Sequence, residues 1–246
     1  MSTLRMHDSE SPPGRRKFRG VDPDQRVAQR SEQLLDAGLE AFGTRGFQAS
    51  GVREICAEAK LTERYFYESF KNREALFIAV HERAAKQIEV LMVEALANAP
   101  RNAREIPRAA LRAILGTYRD DPRLARVLMI EVLRANVNDT AFVASDAFAQ
   151  LIEQMTLSRY PNLTALGIDA GLIANGLYGS TIYIAVRWAL DGFKEPVEQI
   201  VEYCAVFYDS MMHELAQRES VAPPSPRAVG AVSEKRRMPR RKQRAR

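Results

Sequence analysis

An all-α fold is predicted by three features of this 246-residue chain. From Asp24 onward, apolar residues recur at the three- and four-residue spacing of a helix face. Proline, glycine, Asn and Asp fall at the ends of these stretches, where helices start and stop. No convincing alternating strand and no Asn-Gly hairpin appears, so no strand is predicted.

Taken in order, residues 1–23 hold Ser, Pro, Gly and charge without apolar period and read as a disordered basic arm. The first helix starts at Asp24, places Val27, Leu34, Leu35, Gly38, Ala41 and Phe42 on one face, and stops at Gly46. Ser50 or Gly51 opens a short second helix whose inner face is Val52, Ile55 and Ala59. After a break at Lys60-Leu61-Thr62, a third helix carries Tyr65, Phe66, Tyr67 and Phe70. The Thr62 side chain can cap it by accepting from an unpaired first-turn amide. Asn72 caps a fourth helix, with Glu74 near its positive end, which runs through Phe77, Val80, Ile88 and Leu96 to about Ala97.

The second half continues in the same way. Pro107 to Arg119 forms one helix, and Asp121-Pro122 gives a cap and first-turn proline to the next, through Leu124, Val127, Leu128, Ile130 and Leu133. Thr140 to Tyr160 forms another, stopped by Pro161, and Ile168 to Leu190 is closed by Asp191-Gly192. Pro196 opens the last, with Val197, Ile200, Val201, Cys204, Phe207, Tyr208, Met211 and Leu215 on one stripe. From Ser220, three prolines precede a run of Lys and Arg with almost nothing to bury, a disordered basic tail over 219–246.

Charge is concentrated at the ends. Residues 1–23 carry +2 and residues 220–246 carry +8 of an overall +5, leaving the body between them at −5. The basic character therefore belongs to the tails and is no argument by itself for nucleic-acid binding. Cys56 and Cys204 lie far apart in apolar helical patterns, as buried thiols of a reducing compartment do. No apolar run reaches the roughly 18–20 residues of a membrane span, and no signal-peptide core is present, so a soluble cytoplasmic protein is expected, with no membrane partner.

Two short helices across a tight turn, the second rich in polar and aromatic side chains, make a helix-turn-helix, which lays its second helix in the DNA major groove. Over residues 46–76 the chain resembles the TetR family of bacterial transcriptional regulators. The family signature of Gly-aromatic, Thr/Ser, Ile-Ala, Gly-Val-Ser, Leu-Tyr-x-x-Phe and Lys-Glu-x-Leu reads here as Gly46-Phe47, Ser50, Ile55-Cys56, Lys60-Leu61-Thr62, Phe66-Tyr67, Phe70 and Arg73-Glu74-Ala75-Leu76. The resemblance implies Thr62, Arg64 and Tyr65 as base-side residues and Tyr67 and Arg73 as phosphate anchors, with Ser50 and Arg53 holding the flanking backbone. A guanidinium at Arg64 can pair bidentately with guanine O6 and N7. Lys60 and Arg64 stand where many relatives have small residues, and Ser69 where His or Tyr is common; these departures should alter which bases are read.

The same resemblance implies an N-terminal three-helix DNA-binding domain, over 24–72, and a helical ligand-binding and dimerisation domain, over 73–218. Its partners would be a double-stranded operator, a second copy of the chain and a small-molecule effector of unknown identity. Candidates for the effector pocket are Met92, Leu115, Tyr118, Met129, Leu133, Phe148, Ile152, Asn175, Tyr178 and Trp188, although such residues at helical spacing are more often core. Pairing of the last two helices with those of a second copy would use Leu172, Gly176, Gly179, Tyr183, Val197, Ile200, Val201, Cys204, Phe207, Tyr208 and Met211.

Catalysis has little support in the sequence. His7, His81 and His213 are scattered, none pairs at metal-ligand spacing, and neither a cofactor nor a metal is called for. His81 reads as an exposed or interfacial polar residue. The remaining alternatives are an activator, a regulator without effector, and a helical scaffold with a polybasic tail.

Overall fold

Pro23, whose missing N–H is no loss at a first helical position, opens α1 (Pro23–Thr44) in a computed structural model that describes residues 23–135 and 138–221. The expected arm and basic tail lie almost wholly outside those residues. Leu34, Ala41 and Phe42 of α1 are fully buried, but Val27, expected on the same face, is exposed. Gly46 takes φ +90 and turns the chain into α2 (Val52–Ala59). Lys60 closes α2 in the left-handed region at φ 56, a conformation that costs a non-glycine residue about 1–2 kcal/mol.

α3 (Glu63–Ser69) follows with Thr62 as N-cap, yet the Thr62 side chain makes no capping bond; its carbonyl accepts from Tyr65 and Phe66 instead. Asn72 does cap α4 (Arg73–Asn98), accepting from the Ala75 amide at 2.8 Å. Phe42, Phe47 and Phe77 meet with ring centroids 5.2–5.6 Å apart, and Ile55, Phe66 and Leu76 complete the core of this first unit. Val127, Val132 and Ala135, far along the chain, belong to the same core.

α5 (Glu105–Asp120) packs on α4 and on α10 (Val197–Val221). Asp121 then accepts from the Arg123 amide and Pro122 takes the first position of α6 (Pro122–Ala125). The expected single helix to Leu133 is interrupted: Arg126–Glu131 is a π segment, and α7 (Val132–Arg134) resumes after it. α8 (Asn138–Arg159) and α9 (Ala170–Leu190) lie against each other, and α9 packs on α10. Together they enclose a second core of Leu115, Leu124, Met129, Ala185, Trp188, Val201 and Cys204. Burial of Cys204 pushes its thiol up to about 11, so it stays protonated and inert.

Candidate nucleic-acid interface and effector cavity

α2, the turn at Lys60–Thr62 and α3 present one polar surface. Phe66 is fully buried against α1 and fixes the face that α3 turns outward. Thr62, Arg53 and Tyr67 are exposed there. The Arg64 side chain is 84% exposed, and its Nε donates to Glu68 at 3.1 Å. Tyr65 is half-buried, with the Arg30 guanidinium of α1 stacked 4.2 Å from its ring centroid, and Arg30 also reaches Glu68 at 3.7 Å. Arg30 was not singled out in the sequence because its partners lie more than thirty positions away, beyond any helical spacing.

Two of the expected contacts serve the fold instead. Ser50 is fully buried, and its hydroxyl proton is shared between the carbonyls of Ala41 and Gly46 at 3.0 and 2.8 Å, so this side chain is not offered to DNA. Arg73 stacks 4.1 Å over the Phe47 ring, donates to the Ser50 carbonyl at 3.3 Å and pairs with Glu74. It fastens α4 to the α1–α2 turn, leaving only part of its guanidinium toward solvent.

A cavity of about 560 Å³ lies between α4, α5, α8, α9 and α10, within the usual range for small-molecule sites of about 300–1,000 Å³. Its wall is mostly apolar, from Ile88, Met92, Leu111, Ile114, Phe148 and Ile152. Tyr118, Tyr178, Thr181 and Tyr208 supply polar handles; the last two oxygens are 3.3 Å apart, and Phe148 stacks on Tyr178 at 6.0 Å. Arg101, Arg104 and Arg159 also line it, with Asp209 and His213. Of the ten residues expected around a pocket, Met92, Tyr118, Phe148, Ile152 and Tyr178 line this cavity. The other five do not. Leu115, Met129 and Trp188 are buried in the core, where Trp188 donates to the Glu195 carbonyl. Asn175 is exposed and bonds Gly171, and Leu133 is 69% exposed. The arginines carry no sequence signal of such a role, since exposed charges at these positions read as a solvated surface.

α9 and α10 share an outward face. Leu172, Tyr183 and Phe207 are exposed on it, and Gly176 and Gly179 leave open space where a Cβ would stand. Val197, Ile200, Val201 and Cys204, expected on this face, are buried within the protomer; Tyr208 turns into the cavity, and Met211 packs beside Tyr160 and Leu163. Leu190, Tyr203 and Val206, not singled out in the sequence, are exposed in their place.

His81 is not exposed as expected. It is 2% accessible on α4, and its Nδ1 has no hydrogen-bond partner. Burial lowers its pKa, while a hydrogen bond with the Leu128 backbone acts the other way. Among the described residues no three His, Cys, Asp or Glu side chains converge as a metal site, and no helix is long and apolar enough to cross a membrane.

Residues 34–80 match the family model described as bacterial regulatory proteins, tetR family. The chain is 28% identical over 162 residues to the HTH-type transcriptional activator FasR of Mycolicibacterium smegmatis, covering 65% of this chain and 72% of that one. Its fold is similar to that of the fatty acid degradation regulator FadR from Bacillus halodurans, with a TM-score of 0.63 at 14% identity, over 76% of this chain and 95% of the other. Bacillus subtilis FadR, solved in complex with stearoyl-CoA, gives a TM-score of 0.60 at 19% identity, over 71% and 95%. At such identities the structural likeness speaks for the fold alone.

Proposed function

Because the chain belongs to the tetR family of bacterial regulatory proteins, we propose that it is a homodimeric, ligand-responsive transcriptional repressor that acts in the cytoplasm and leaves a palindromic operator when an amphipathic ligand fills its cavity. Residues 24–72 form the reading head in this scheme and residues 73–218 the effector and dimerisation domain. Two copies joined through the outward faces of α9 and α10 set two α3 helices about a two-fold axis, and a two-fold protein asks for a palindromic site. The observation that carries the reading is the pairing, in one chain, of an unhindered Arg64 on α3 with an apolar cavity lined also by Arg101, Arg104 and Arg159. Apolar walls with cationic side chains suit a long acyl chain carrying an anionic head group. The stearoyl-CoA bound by the Bacillus subtilis regulator is a ligand of that class.

Selection of bound sequences from a random duplex pool is expected to return two inverted half-sites. Stearoyl-CoA, titrated against the complex, should release the selected operator, and coenzyme A alone should not. A 100-fold loss of DNA affinity corresponds to about 3 kcal/mol of coupling between the two sites. Enrichment of no sequence would end the proposal, and release by coenzyme A alone would end its account of the ligand. The relative from Mycolicibacterium smegmatis is named an activator, so a reporter at the selected operator is needed as well. Expression that rises when the gene is deleted marks a repressor.

A further inference from the structure

The π segment Arg126–Glu131 stands between two cores and serves both. Val127 packs with Phe42, Phe47 and Phe77 beneath the reading head. Met129, with Leu124 and Ala125 of α6 just before the segment, packs in the core that holds Leu111 and Tyr118, and both of those line the cavity. On an α-helix, residues five apart point about 140° away from each other. The wider turn of a π segment brings them together, and Arg126 Nε donates to Glu131 Oε1 at 3.0 Å.

Glu131 is 1% exposed, although it carries a carboxylate. Its Oε1 also accepts from Arg134 Nη1 at 3.0 Å, and its Oε2 accepts from the backbone amide of Phe47 at 2.8 Å. Two more bonds run the same way. Arg126 Nη1 donates to the Thr44 carbonyl at 2.7 Å, and Gln48 Nε2 donates to the Arg134 carbonyl at 3.2 Å. The α1–α2 turn lies directly on this cluster: a Cβ added at Gly46 would come within 2.8 Å of Arg126 Nη2 and 3.0 Å of Glu131 Oε1. The turn that aims α2 and α3 is thus tied to the ligand domain by a buried charge. Removing one partner of such a charge leaves the rest uncompensated, so the cluster holds or opens as a unit.

We propose that Glu131 is a positioning residue for DNA reading: it fixes the α2–α3 head relative to the effector core, and the π segment is the joint through which the cavity acts on that head. α4 runs unbroken from the head into the effector core, and α1 packs on α6 and the π segment; the Glu131 cluster adds the tie that holds the α1–α2 turn itself. With the Glu131 cluster closed, the two heads of a dimer stand at one separation. The DNA part of this inference rests on the dimeric-regulator reading above.

Two measurements on the full-length chain test it. Spin labels at Glu58→Cys on α2 and Arg119→Cys on α5, in labelled protein diluted into unlabelled, report the head-to-core distance without DNA; both native thiols are buried. The unsubstituted cluster should give one narrow distance, and Glu131→Gln or Arg126→Ala a broad or double one. Arg126 is a third exposed, so its variant keeps the test alive if Glu131→Gln fails to fold. Unchanged distances in the variants overturn the proposal. The second measurement compares the selected operator with a duplex carrying one extra base pair between half-sites. The parent protein should bind the longer site about ten-fold more weakly, since half-site spacing is fixed by the dimer, and the variants should bind both within about two-fold. Variants that keep the ten-fold preference, or a parent without it, also overturn the proposal. A parent that selects no operator defeats the reading of function instead, while the label distances still decide the role of Glu131.

Discussion

The Arg64 side chain is largely exposed, with Glu68 as its ion-pair partner among the described residues, whereas Tyr65 beside it is pinned under Arg30. Of the two, the exposed guanidinium is therefore the one we propose reads a base edge. Arg64→Ala is expected to cost about 1–3 kcal/mol at the selected operator and to relax base preference at one position per half-site. Repeating the selection with the variant checks this, and an unchanged consensus would remove Arg64 from base reading. His81 allows a test of a different kind. Its pKa is lowered in the fold by burial, so the unfolded chain takes up a proton at a pH where the folded chain does not. Stability should be level above the ordinary histidine pKa of about 6.5 and fall as the pH drops below it. Melting temperatures between pH 7.5 and 5.5 should show this fall, and His81→Leu should reduce it. Ser50 and Thr62 show the limit of reading single residues. Their types suit DNA and capping roles equally well, and only the turn at Gly46 decides that the Ser50 hydroxyl faces inward.

At the scale of elements, helix ends were legible and helix faces less so. Asn72, Asp121-Pro122 and Asp191-Gly192 mark real boundaries because capping is local chemistry. The π segment left no trace, since Leu124, Val127, Leu128 and Ile130 read as one uninterrupted apolar face. An extra residue in a turn rotates everything after it by about 100°, which is why Leu133 points outward and Val132 inward. On α10 the difficulty was having two apolar stripes. Val197, Ile200, Val201 and Cys204 form the inner one; Tyr203, Val206 and Phe207 form the outer. A large exposed apolar face is uncommon on soluble monomers, so the outer stripe is the one to attack. Phe207→Glu and Tyr183→Glu are expected to yield monomer in light scattering and to abolish operator binding while helicity is kept. A dimer that survives both changes would move the interface elsewhere.

At the scale of the whole molecule, the sequence divides at residue 72 but the packing does not. Leu76, Phe77 and Val80 of α4 belong to the core beneath the reading head, as do Val127 and Val132. The bond from Phe47 to Glu131 spans 84 positions, and nothing in the local pattern of either residue points to the other. The all-α class and the helix-turn-helix were legible because they rest on short-range periodicity. The cavity was half legible, since apolar lining and apolar core obey the same spacing.

α10 has one further consequence. Its inner side lends Tyr208, Asp209, Met212 and His213 to the cavity wall, while its outer side carries Tyr203, Val206 and Phe207. With the pairing proposed above, a substitution there that alters which ligand fits also disturbs the partner's seat. Phe148 and Ile152 on α8, and Arg101 and Arg104 between α4 and α5, line the same space from other elements. Under that proposal, those are the positions at which descendants of this gene would be free to change their taste in ligands while still recognising one another as subunits.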